Sequence, residues 1–142
     1  MAKIVIQKVV FKGISAATLY NTYIDKKQHS KAIGIAVTIH EKEGSQFKTH
    51  DEYITGKTLQ LIKNKLIVQS WRASDWDDAD IDSTFILSFE QKEKDGILNM
   101  VHTNVPDGHY AAIKDGWNTY YWQPWKEYFS SENLPAGKAG KK

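Results

Sequence analysis

Histidines, one arginine and a run of aspartates carry what acid–base or ligand chemistry this 142-residue chain offers. His102 stands at the end of an alternating run with Leu98 and Met100, facing the same side. A neutral imidazole there could hydrogen-bond a ligand or move a proton near neutral pH; the plainer alternative is a core histidine with both nitrogens partnered. His109 lies just inside a helix start and reads as exposed. None of the five histidines forms HExxH, and His40 and His50 have the wrong spacing for a helical metal pair, so no metal ligand is assigned. Cysteine is absent, which excludes thiolate catalysis, disulfides and cysteine-held metals. Neither a GxSxG elbow nor a glycine-rich phosphate loop is present, so no catalytic residue and no cofactor is assigned.

The stretch DWDDADID places Asp75, Asp77, Asp78, Asp80 and Asp82 within eight residues. A calcium loop needs glycine at its sixth position and glutamate at its twelfth; counted from Asp78 these are Ser83 and Phe89, so the motif fails and a solvated loop is expected. Trp76 in that loop reads as an exposed aromatic that either caps the core edge or, with Asp77 and Asp78, meets a partner. Arg72, the sole arginine, precedes the loop. It could clamp a carboxylate-bearing ligand, but strand parity places it opposite Trp71, which favours local pairing with an aspartate.

These groups need a scaffold, and the stretch from Gly108 to Phe129 organises it. Tyr110, Ile113, Trp117, Tyr121 and Tyr128, with Tyr120 and Trp125 beside them, form one apolar stripe along a long helix. Pro124 offers no amide to the carbonyl of Tyr120, which predicts a kink there, and Gly116 in mid-helix suggests close approach to the sheet. Upstream, Lys3 to Phe11 reads as a first strand. Ser15 caps a short helix over AATLYNTYI, and a second, polar helix closes at Gly34. A meander follows, with strands over Ile35 to Glu41, Gln46 to Ile54, Lys57 to Ile62, Leu66 to Ala73, Ser83 to Gln91 and Gly96 to Thr103. Period two leaves open which face of Leu66 to Ala73 looks inward. The fold class is therefore α+β: a curved antiparallel sheet of about six to seven strands against a long C-terminal helix, with two short helices after the first strand.

With 41% hydrophobic residues the chain can bury a core, and a domain over 1–130 is expected, followed by a flexible basic tail at 131–142. Net charge is +2 with lysines scattered among acids, so no nucleic acid partner is expected. Lacking a secretion-type or membrane-length apolar run, the chain reads as cytoplasmic.

The phrases GSQF (44–47), ITGKTLQL (54–61), IVQSWRASDW (67–76) and NVPDGHYAAIKDGWNTYYWQPWKEYF (104–129) resemble the homologues of the heat-shock protein 90 ATPase activator, in particular its C-terminal domain. That family belongs to the START-like, or SRPBCC, helix-grip superfamily, which also holds birch-pollen-allergen-like proteins and polyketide cyclases. The resemblance implies a sheet gripping the C-terminal helix, often around an apolar cavity. Facing aromatics suggest a non-catalytic protein that holds a hydrophobic or aromatic small molecule, with Phe47, Trp71, Phe85, Phe89, Met100, His102, Trp117, Tyr121 and Trp125 as lining candidates. The alternative implied by the family is a chaperone-associated activator acting through a protein surface in the stress response. A cyclase-like enzyme using His102 or a tyrosine ranks below both.

Overall fold

The computed structural model describes residues 2–130; the tail expected at 131–142 lies outside them. The chain runs β1 (Ala2–Phe11), α1 (Ala16–Ile24), α2 (Lys26–Ile33), β2 (Val37–Thr38), β3 (Gln46–Thr49), β4 (Ile54–Ile62), β5 (Leu66–Ala73), β6 (Ser83–Lys92) and β7 (Asp95–Pro106). A 3-10 turn (Asp107–His109) then leads into the C-terminal helix. That helix has three parts: α3 (Tyr110–Gly116), a π segment (Trp117–Trp122) and α4 (Gln123–Ser130).

All strand pairs are antiparallel, in the order β1-β7-β6-β5-β4-β3-β2, so the first strand closes beside the last. The expected α+β helix-grip architecture is the observed one. Ile67, Gln69, Trp71 and Ala73 are the buried face of β5, which resolves the parity that alternation leaves open. Register aligns Gln69 with Phe85, Phe85 with His102 and His102 with Val5. These four side chains form one inward row across the sheet, and Trp117 stacks on its Phe85 at 4.4 Å.

Local chemistry explains the start of α1 and the end of α2. Ser15 Oγ accepts from the Thr18 amide to cap α1, and Gly34 takes the left-handed conformation (φ 75°) that ends α2. Three expectations need correction. The strand expected over Ile35 to Glu41 pairs only at Val37–Thr38. The strand expected over Gln46 to Ile54 breaks at His50, Asp51 and Glu52, three consecutive residues with φ of 56°, 61° and 66°, and β4 begins at Ile54. Gly56, which falls between the strands expected over Gln46 to Ile54 and Lys57 to Ile62, lies inside β4, where a Cβ would fall 1.9 Å from the Ser70 carbonyl oxygen and 2.5 Å from the Phe47 ring. Only glycine lets the strands close there.

The kink expected from Pro124 takes a specific form. The helix widens into the π segment, and the Gln123 amide donates to the Asn118 carbonyl five residues back. A wider turn absorbs the missing proline donor and turns both Trp117 and Tyr121 into the sheet's concavity.

Candidate functional site

Two polar networks cross the seam between helix and sheet. In the first, Trp117 Nε1–H donates to His102 Nδ1 at 3.0 Å, so Nδ1 is bare and the ring proton sits on Nε2. That proton is donated to Ser83 Oγ at 2.7 Å, and the Ser83 hydroxyl donates in turn to the Trp71 carbonyl at 2.7 Å. Burial pushes the His102 pKa down to about 3. The ring is fully enclosed, neutral and bonded at both nitrogens, which leaves no position for proton transfer to a substrate.

The second network centres on Tyr121. Its hydroxyl lies 2.8 Å from His29 Nε2, and His29 Nδ1 donates to the Tyr23 carbonyl at 2.6 Å. Burial lowers the His29 pKa to about 4 and raises that of Tyr121, so both are neutral. Thr49 is the neighbour that favours the Tyr121 phenolate, against the larger effect of burial, and Thr49 Oγ1 stands 3.0 Å from His50 Nδ1. α2, expected to be polar, buries His29, which ties the helix pair to the C-terminal helix.

Between these networks and the β3–β4 turn the seam opens into a pocket of about 260 Å³. Trp71, Trp117 and Tyr121 form its back, with Ile54, Ala73 and Ile113 beside them, and His50, Tyr53, His109 and Tyr120 at its rim. Gly116 contributes an open patch of wall. A Cβ there would meet only the Tyr120 ring, at 3.6 Å, so this glycine makes room for the pocket rather than for sheet approach.

A family model described as Activator of Hsp90 ATPase homolog 1-like protein matches residues 14–130. The chain belongs to that family. The activator homolog 1 of Homo sapiens is 24% identical over 81% of this chain and 34% of its own length, and an uncharacterized protein of Schizosaccharomyces pombe is 27% identical over 80% and 34%. The chain thus spans about a third of the length of these curated relatives. A solved structure of an HSP90 activator from Plasmodium falciparum superimposes with a TM-score of 0.78 at 22% identity, covering 95% of this chain and 98% of that one.

In this family member the residues singled out as cavity lining divide into two groups. Trp71, Trp117 and Tyr121 line the pocket. Phe47, Phe85, Phe89, Met100, His102 and Trp125 lie in the closed interior: Phe89 packs edge-on against Tyr20, and Trp125 sits among Phe11, Tyr23, Trp122 and Phe129. Ile113 is on the expected helix stripe but not among the lining candidates, and His50, Tyr53, Ile54 and Ala73 escaped sequence reasoning, because only the left-handed turn at 50–52 carries the first two to the seam.

Trp76 corrects an expectation. It is 5% exposed, packed 5.7 Å from Trp71, and so caps the core edge instead of offering an aromatic to a partner. Asp77 and Asp78 above it are exposed. Arg72 straps this loop, donating to the carbonyls of Asp80 (2.6 Å) and Asp77 (2.7 Å) and pairing with Asp82 at 3.3 Å. No cluster of three or more potential metal ligands occurs among the described residues, and no helix among them is long and apolar enough to cross a membrane.

Proposed function

We propose that this domain is a cytoplasmic binding protein that holds a small, flat apolar or aromatic molecule in the pocket between the C-terminal helix and the sheet. One observation supports the reading above others: a 260 Å³ space walled by Trp71, Trp117, Tyr120 and Tyr121, at the seam of an interior whose other aromatics pack against one another. A void of about 150 Å³ already takes benzene, so one or two fused rings fit. Nuclear magnetic resonance titration with one- and two-ring aromatics tests it through the Trp117 indole N–H. Saturable shifts there and at Ile113 are expected, and shifts absent at millimolar ligand count against the reading. Native mass spectrometry of protein from its own host would identify a retained molecule.

Family membership favours a second reading, in which the domain stimulates a heat-shock protein 90 type ATPase through its surface, as the names of the human and Plasmodium relatives describe for those proteins. Asp77 and Asp78 on the exposed loop remain the polar part of such a surface. An ATPase rate unchanged at saturating domain, with no complex on a sizing column, would rule this out.

A further inference from the structure

The chain of hydrogen bonds behind the pocket has only one consistent direction. The Tyr23 carbonyl can only accept, so His29 Nδ1 holds that ring's proton and Nε2 is bare. Nε2 therefore accepts from the Tyr121 hydroxyl. With its single proton engaged, the Tyr121 oxygen can take only a donor from Thr49, the neighbouring hydroxyl that favours the phenolate. Thr49 has then no proton left for His50, so at their 3.0 Å contact His50 Nδ1–H is the donor. His50 is neutral, its pKa lowered by burial, and one proton cannot serve both nitrogens. His50 Nε2 consequently presents a lone pair, and among the described residues it has no hydrogen-bond partner although it is sheathed from solvent.

Such an orphaned acceptor is costly unless something completes it. His50 is part of the pocket wall, and among the described residues the ring lying edge-on to it is that of Tyr120, 5.9 Å away and 56% exposed; an outward turn of that exposed ring would open Nε2 to the pocket. Among the described residues neither lysine nor arginine lines the pocket, so a carboxylate would meet a lone pair with no cation from them to offset it. Resting on the binding reading above, we propose that the pocket selects an uncharged, flat molecule bearing one N–H or O–H donor, recognised by His50 Nε2. Phenols and indoles have this chemistry.

Indole and indene decide the matter, because they share a bicyclic shape and only indole carries the N–H. Isothermal titration of the intact protein with each is expected to show indole binding about five- to tenfold more tightly, the worth of one hydrogen bond to a buried acceptor. His50→Gly suits the positive φ at that position and removes the acceptor, so it should bring the two ligands level. On the unmutated protein, imidazole nitrogen-15 spectra should show a bare His50 Nε2 whose signal moves with indole and not with indene. Equal affinities in the unmutated protein, or a protonated Nε2, overturn the donor requirement while leaving the pocket in place. Binding of neither ligand overturns both.

Discussion

His102 and His50 touch the same stretch of helix, one against Trp117 and the other beside Tyr120 and Tyr121, yet they are finished differently. His102 has both ring nitrogens bonded within the protein, through Trp117 and Ser83. His50 has one bonded and one bare. Closure and incompleteness of the network thus separate a histidine that holds the helix onto the sheet from one poised for a guest. Residue type alone does not make that distinction; the partners of each nitrogen do.

Acid offers the harshest test of the closed network. Unfolded imidazoles titrate near 6.5, whereas His29 and His102 in the fold do so near 4 and 3, so below 6.5 the unfolded chain binds more protons. Stability is complete above 6.5 and is lost as pH falls toward those folded values. At about 1.4 kcal/mol per unit, His29 alone accounts for on the order of 3 kcal/mol, and with His102 the loss reaches a sizeable part of a domain's stability. Urea midpoints measured from pH 7 to 4.5 should fall steeply; a flat profile would mean these rings are not held neutral by burial.

His102→Ala comes next. It deletes a fully enclosed ring and strands the Trp117 indole donor, for a loss of about 3–5 kcal/mol in chemical denaturation. Replacing half-buried His50 by Gly should cost no more than about 1 kcal/mol, since its outer nitrogen has no partner to lose. Similar losses at the two sites would erase the distinction between them. Tyr121→Phe falls between, at about 1–3 kcal/mol, because it leaves His29 Nε2 and the Thr49 hydroxyl without their shared partner. A neutral result there would show that the relay behind the pocket is not held as drawn.

The same contrast marks where sequence reasoning runs out. Helix and strand periods made α1, β5, β6 and most of the aromatic stripe legible, because burial of one face imposes a repeat on residue type; Tyr120 is 56% exposed, however, and the buried Trp122 lies outside the stripe. Trp71, Trp117 and Tyr121 could be aimed at the seam for that reason. Whether the space they face is filled is a matter of volume, not period, and so Phe85, Phe89, Met100 and Trp125 looked like lining although they pack shut. His50 left no trace at all: its turn puts three non-glycine residues in left-handed conformations, and its role depends on Thr49, Tyr121 and His29, up to 92 positions apart. Trp76 misled for the converse reason, since an acidic loop around it gives no hint that Arg72 folds the loop down over the ring.

Gly116 supplies the gentlest test and the most selective one. A helix-interior glycine costs roughly 1 kcal/mol relative to alanine, and here a Cβ would meet nothing closer than the Tyr120 ring at 3.6 Å. Gly116→Leu should therefore fold with stability within about 1 kcal/mol of the parent, the gain in helix propensity offsetting the crowding of Tyr120. Its side chain would occupy the wall that the glycine leaves open, and binding of small aromatics should be lost while the His102 and Tyr121 networks stay intact. Should Gly116→Leu bind aromatics as the parent does, the pocket is not where they bind. A large destabilisation would instead show that the glycine serves the helix's approach to the sheet, and the open end of the seam would then be as structural as the closed one.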